Sequence, residues 1–239
     1  MDTTGITVDR VDRILGRVWP DARCELVFSN PYELLVATML SAQTTDQRVN
    51  SVTGEVFSRW PDARRLADAP VDTVARVIAP VGLQRMKAKH LVAMATAVVE
   101  CHGGDIPADR GALVALSGVG RKTANVVLGN AFGIPGFPVD THVTRLLGRL
   151  GAVGHTSPAA IERAVCAVLE KKRWTGASHR MIRHGRVVCH ARRAACGVCP
   201  FLSCCPSAGK AGPADPGQAA QRVQASEDLR ALLAVKEQL

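Results

Sequence analysis

Apolar residues recur at helical spacing through most of the chain, separated by polar or glycine-proline breaks. Residues 7–18 put Val11, Ile14, Leu15 and Val18 on one side, and Trp19-Pro20 ends the run. Asn30-Pro31-Tyr32-Glu33 predicts a helix start: a capping side chain, proline at the first position and a carboxylate at the third. That helix carries Leu34, Leu35, Thr38 and Met39 into the polar hexapeptide Ser41-Ala42-Gln43-Thr44-Thr45-Asp46, after which Val49, Val52 and Val56 mark another. Short helices are expected near 62–68 and 71–78, and Val81-Gly82-Leu83-Gln84-Arg85 reads as a loop. A longer helix over about 86–101 has Leu91, Met94, Ala95 and Val98 in register, and Gly103-Gly104 stops it.

The segment Leu116-Ser117-Gly118-Val119-Gly120-Arg121-Lys122-Thr123-Ala124 reads as a helix end, a tight glycine turn and a second helix start. Ala124, Val127, Leu128 and Ala131 give the second helix its apolar face. A Gly/Pro loop at 133–138 leads to Asp140, a candidate N-cap for a helix through Leu150. Ser157-Pro158 opens a helix to about Lys171, and a last one runs from about Ser178 through His184 into Cys189. Residues 207–224, rich in Gly, Pro, Ala and Gln, read as a linker, and 226–238 as a small amphipathic helix through Leu229, Leu232, Leu233 and Lys236. No strand pattern emerges, so the expected class is all-α, with about ten helices.

Composition narrows the partners. At 239 residues and 47% hydrophobic content, the chain can build one large domain or two small ones. No apolar run reaches the roughly 18–20 residues that span a bilayer, and Met1-Asp2-Thr3-Thr4-Gly5 lacks the basic start of a leader peptide. The expectation is a cytoplasmic, nucleoid-associated protein. A net charge of +9 favours a polyanion, DNA or RNA, over a membrane surface, because the charge is spread along the chain.

Four of eight cysteines crowd together as Cys189, Cys196, Cys199 and Cys205, in the pattern C-x6-C-x2-C-x5-C. Without a leader peptide this points to metal rather than disulfides. Four thiolates suit Zn²⁺ or a [4Fe–4S] cluster; spacing leaves both open, although the long first gap fits zinc knuckles poorly. Cys204 competes with Cys205 for the fourth position, and Cys24, Cys101 and Cys166 are expected to be buried thiols. A metal would hold the basic loop His190-Ala191-Arg192-Arg193-Ala194-Ala195 rigid and present Arg192 and Arg193 to phosphate.

The glycine turn carries the candidate chemistry. Gly118 and Gly120 permit unusual backbone angles and close approach of N–H groups to an anion, as a helix N-terminus does. Arg121 adds positive charge there. Lys122, one of only seven lysines, falls in the first helical turn, where the dipole disfavours an ammonium and favours the neutral amine. A neutral amine can attack a sugar aldehyde carbon and form a Schiff base; arginine cannot. The plainer alternatives are a structural turn and a phosphate-binding lysine.

The turn with Lys122, the Val139-Asp140-Thr141-His142 segment, the Leu40-Ser41-Ala42-Gln43-Thr44-Thr45-Asp46 loop and the cysteine cluster occur in this order, and together they resemble endonuclease III over about residues 7–206. The resemblance implies a two-domain helix-hairpin-helix DNA glycosylase fold with a [4Fe–4S] cluster loop and a DNA-binding cleft. It implies a six-helix domain at 26–137, a cluster domain from 1–25 and 138–206, and a linker and tail at 207–239. It implies a monomeric repair enzyme that removes oxidised pyrimidines from double-stranded DNA and cuts the abasic site. Lys122 is then the nucleophile at C1′, and β-elimination follows from the imine. Asp140 is the catalytic carboxylate, and Cys189, Cys196, Cys199 and Cys205 hold the cluster. Gln43 fills the gap left by the displaced base, and Leu83 wedges the opposite strand. Ser41, Asp46 and His142 line the base pocket, and Gly118 and Gly120 bind phosphate through their N–H groups. The wedge loop here reads Gly82-Leu83-Gln84-Arg85-Met86-Lys87 where the family commonly has an aromatic after the leucine, and Val114 stands where some members have glutamate. These departures bear on substrate range and opposite-base preference. Mismatch adenine glycosylases share the fold but lack the turn lysine and carry a further C-terminal domain. A non-catalytic DNA-binding scaffold and a cluster-based redox sensor are the remaining rivals.

Overall fold

Helix starts follow the capping signals in the first part of the chain. In the computed structural model, which describes residues 6–239, Thr7 caps α1 (Val8–Val18), Asn30 caps α2 (Pro31–Leu40) and Thr45 caps α3 (Asp46–Arg59). The Met1–Gly5 stretch, on which the leader-peptide expectation rests, lies outside the described residues. Asn30 Oδ1 accepts from the Glu33 N–H at 2.9 Å, while Glu33 Oε2 accepts from the Ser29 N–H at 2.6 Å, one residue earlier than a capping box requires.

The remaining helices are α4 (Ala63–Ala67), α5 (Val71–Val77), α6 (Gln84–His102), α7 (Arg110–Ala115), α8 (Arg121–Ala131), α9 (Thr141–Leu150), α10 (Pro158–Val168), α11 (Trp174–Val187), α12 (Pro216–Ala220) and α13 (Ser226–Lys236). With three single-turn 3-10 segments and no strand among the described residues, the fold is all-α. No described helix is long and apolar enough to cross a membrane.

The chain divides into two compact units. Cys24–Gly136 forms one; Phe137–Leu239 with the chain up to Arg23 forms the other. In the first, Leu34, Leu35, Val36, Ala37 and Leu40 of α2 are wholly buried. A helix apolar on every side belongs inside a core, and α2 packs against α3, α6 and α8. Helices α4 and α5 cover another face of α6.

In the second unit α1 buries Val11, Ile14, Leu15 and Val18 and packs on α11. Asp12 is buried on the same helix, held by the Nε groups of Arg173 and Arg180, each at 2.9 Å. Two guanidiniums on one carboxylate satisfy a charge that would otherwise be costly to bury.

Several helix boundaries and burial states differ from the sequence expectation. Helix α6 starts at Gln84, so the loop before it shrinks to Gly82-Leu83; its N-cap, Leu83, contributes no side-chain hydrogen bond and left no capping signal. Helix α10 stops at Val168 because Leu169 is extended, and α11 begins at Trp174, again without a capping side chain. Cys101 is exposed near the end of α6, and Cys24 and Cys166 are only partly buried.

The 207–224 stretch packs closely rather than hanging slack. It contains α12, buries Ala219 and Val223, and pairs Ala211 and Pro213 carbonyls with the Ala194 and Gly197 N–H groups, both at 2.9 Å. A Cβ on Gly212 would lie 1.8 Å from the Ala194 oxygen. Its small residues serve close backbone contact. Helix α13 continues the packing through Leu232 and Val235, and Lys236 Nζ donates to the Gly197 carbonyl.

Candidate active site and nucleic-acid contacts

Helices α7 and α8 are joined by a short turn in which the Val119 N–H donates to Leu116 O at 3.1 Å. Gly118 sits at φ +74°, and a Cβ there would meet His90 Cβ at 2.9 Å and Met39 Cε at 3.2 Å. Gly120 is different: its φ of −94° and ψ of 175° suit any residue, and a Cβ would meet nothing within 4 Å. The conformational argument therefore holds for Gly118 alone. Gly120 leaves open space before the first turn of α8, which no side chain caps. Unclaimed N–H groups at a helix start form an anion site. Gly118→Ala should lower stability by about 2–4 kcal/mol, from left-handed backbone strain and overpacking. Gly120→Ala should leave the melting temperature nearly unchanged. Thermal melts of the two variants check the contrast.

Lys122 and Arg121 stand exposed in that first turn. No described residue gives Lys122 a hydrogen bond or ion pair. His90 Nδ1 lies 3.0 Å from Ser117 Oγ, which fastens α6 to the turn.

Among the described residues, the non-glycine residues with left-handed backbone are Gln43 (φ 59°), Leu83 (φ 52°) and Arg193 (φ 54°). All three were singled out as DNA contacts, and all three are exposed. Such strained conformations persist where the surroundings enforce them and gather at functional sites. Ser41 caps the end of α2 and donates from Oγ to Thr38 O at 2.8 Å; Asp46 is already the first residue of α3, not loop. Val114, Gln84 and Arg85 are exposed.

Sequence reasoning missed Lys87. It is 5% exposed, and its Nζ donates to Leu40 O at 2.8 Å and Val81 O at 3.0 Å. Burial pulls its ammonium below the usual lysine range. The signal was available: Lys87 falls on the same stripe as Leu91, Met94, Ala95 and Val98, a charge on an otherwise apolar face.

In the other unit, Asp140 caps α9. Its Oδ1 accepts from the N–H groups of His142 at 2.8 Å and Val143 at 2.9 Å, and no described residue donates to Oδ2. His142 packs on Gly185, where a Cβ would come within 2.7 Å, and its Nδ1 is 3.1 Å from Arg145 Nη2. Burial holds its imidazole below the ordinary range, against the opposing pull of Asp140.

Cys189, Cys196, Cys199 and Cys205 line one cavity with Leu146 and Arg149. Cys204 is exposed and absent from its wall; its thiol points to Phe201 O at 3.6 Å. Burial, reinforced by the neighbouring cysteines, pushes the Cys199 thiol up. No three His, Cys, Asp or Glu side chains among the described residues are placed to hold a single metal ion. His184 Nε2 lies 3.5 Å from Cys199 Sγ. Arg149 grips the loop after Cys189 through His190 O (2.7 Å) and Ala191 O (3.0 Å), and Arg145 Nε donates to Cys189 O at 2.8 Å. Arg145 and Arg149 are the second group missed; their four-residue spacing on α9 was the signal. Arg192 and Arg193 project from the held loop.

Residues 36–171 match the HhH-GPD superfamily of base excision DNA repair proteins, the class that the all-helical fold and the hairpin define. Endonuclease III of Synechocystis sp. is 45% identical over 82% of this chain and 90% of its own, and that of Bacillus subtilis 43% over 80% and 88%. The structure of a trapped endonuclease III–DNA covalent intermediate, an estranged-adenine complex, superposes with a TM-score of 0.82 at 38% identity, covering 86% of this chain and 98% of that one. The chain belongs to the endonuclease III family of bifunctional DNA glycosylases and abasic-site lyases, in agreement with the resemblance carried by its motifs.

Proposed function

We propose that this chain removes oxidised pyrimidines from double-stranded DNA and cuts the resulting abasic site through a Schiff base on Lys122. The observation that carries the reading is an exposed, unpartnered amine in the uncapped first turn of α8. The amine attacks C1′ as the bond to the base breaks and the base leaves with its electron pair and a proton. The C1′–O4′ bond then breaks, O4′ takes up a proton as a hydroxyl, and the ring-opened sugar is an iminium of Lys122. Loss of the 2′ proton moves electrons toward the iminium and breaks the C3′–O bond, expelling the 3′ phosphate. Asp140 keeps one carboxylate oxygen for its cap and has the other free to steady positive charge on the sugar. The trapped covalent intermediate of a relative supports the route.

The DNA partner is supported by the +9 charge and the open helix start at Gly120. A damaged base must leave the stack before attack; Gln43 would fill the space, Leu83 wedge the opposite strand, and Ser41, Asp46 and His142 contact the base. Arg121, Arg192 and Arg193 would hold phosphates. Cys189, Cys196, Cys199 and Cys205 would hold a [4Fe–4S] cluster, and the cavity that all four line is the observation that fits that group. When bound, the cluster supplies a cross-link that fixes the Arg192–Arg193 loop. We read the enzyme as a cytoplasmic, nucleoid-associated monomer.

The test is a set of duplexes with one oxidised pyrimidine opposite each normal base, scored with and without hot alkali. Strand breaks without alkali are expected. Breaks that need alkali, or none at all, would overturn the reading.

A further inference from the structure

We propose that Lys87 is a positioning residue that locks the Gln43 and Leu83 loops into one unit for base extrusion. The inference rests on the glycosylase reading above. Lys87 Nζ reaches the last carbonyl of α2, Leu40 O at 2.8 Å, and the carbonyl of Val81 at 3.0 Å. Gln43 follows the first anchor by three residues and Leu83 follows the second by two. Both side chains are exposed, and both backbones are left-handed. Two strained, solvent-facing residues thus hang from carbonyls gripped by the same ammonium, buried to 5% exposure.

A buried ammonium is a costly way to join two carbonyls unless the joint has a use. Its three donors satisfy two chain ends that no helix ladder covers there. The link fixes the spacing between the residue that fills the vacated stack and the one that wedges the opposite strand. Extrusion needs both insertions at once; cutting a site that has already lost its base does not. The consequence is a division between the two steps rather than a general loss.

The measurement is the ratio of two single-turnover rates on the cluster-loaded enzyme: base release from a paired oxidised pyrimidine, and β-elimination at a ready-made abasic site. Lys87→Met should slow the first roughly ten- to a hundredfold, as small misplacements of positioning groups do, and the second by less than about threefold on the same reasoning. In a Leu83→Ala background the Lys87→Met effect on base release should largely vanish, because the wedge it positions is gone. If Lys87→Met does not fold, Lys87→Gln, which keeps a donor for one carbonyl, reads the same ratio. Parallel loss of both rates, an unchanged ratio, or full additivity with Leu83→Ala would overturn the proposal. Wild-type enzyme that releases no base would instead overturn the functional reading beneath it.

Discussion

Lys122→Ala is expected to fold normally and to lose strand cleavage by at least about a thousandfold, the scale seen when a nucleophile is removed. Stability should change by less than about 0.5 kcal/mol, because an exposed residue without partners adds little. Borohydride should trap wild-type protein on abasic-site DNA and should not trap the variant. Lys122→Arg separates charge from chemistry: guanidinium keeps the positive charge at the start of α8 but stays protonated and does not attack carbon. It should bind DNA with nearly wild-type salt dependence and form no adduct. An adduct mapped to another side chain, or cleavage that survives the alanine change, would remove the amine from its role.

The second large effect concerns Asp140. Asparagine caps a helix about as well as aspartate, and the amide oxygen can still accept from the His142 and Val143 N–H groups that Oδ1 now serves. Asp140→Asn should therefore keep α9 and the melting temperature. It should slow base release by about 10²–10⁴-fold, the range expected when a group handling charge or protons in the transition state is neutralised. Asp140→Ala should add a stability loss of about 0.5–2 kcal/mol from the missing cap. Equal loss of stability in both variants with little change in rate would reduce the residue to a cap.

Much of this architecture is legible before any coordinates. Asn30, Asp140 and Ser157 cap helices where the sequence marks a start, because a short polar side chain facing free N–H groups leaves a local mark. The starts of α6 and α11 leave none, since Leu83 and Arg173 contribute no side-chain cap there. Lys87 is legible as a charge on an apolar stripe, but its partners are not: they are carbonyls from two distant segments, and only packing brings these together. The tail misled because small residues read alike whether they give slack or close contact. Gly212 against Ala194 is the second kind. At the glycine turn, sequence could not tell that Gly118 is needed for its backbone angle while Gly120 sits at ordinary angles and leaves open space. The expectation that Lys122 is the nucleophile and that four cysteines hold a cluster comes from family resemblance, since spacing by itself leaves a phosphate-binding lysine and a zinc site open.

The two units are unequal as events in synthesis. Cys24–Gly136 is one continuous run and can complete its core as soon as it leaves the ribosome. The other unit begins with α1, whose Val11, Ile14, Leu15 and Val18 find their partners only beyond Phe137. Helix α1 is made before the continuous unit yet shielded only after it, so its apolar stripe stays bare while more than a hundred residues are synthesised.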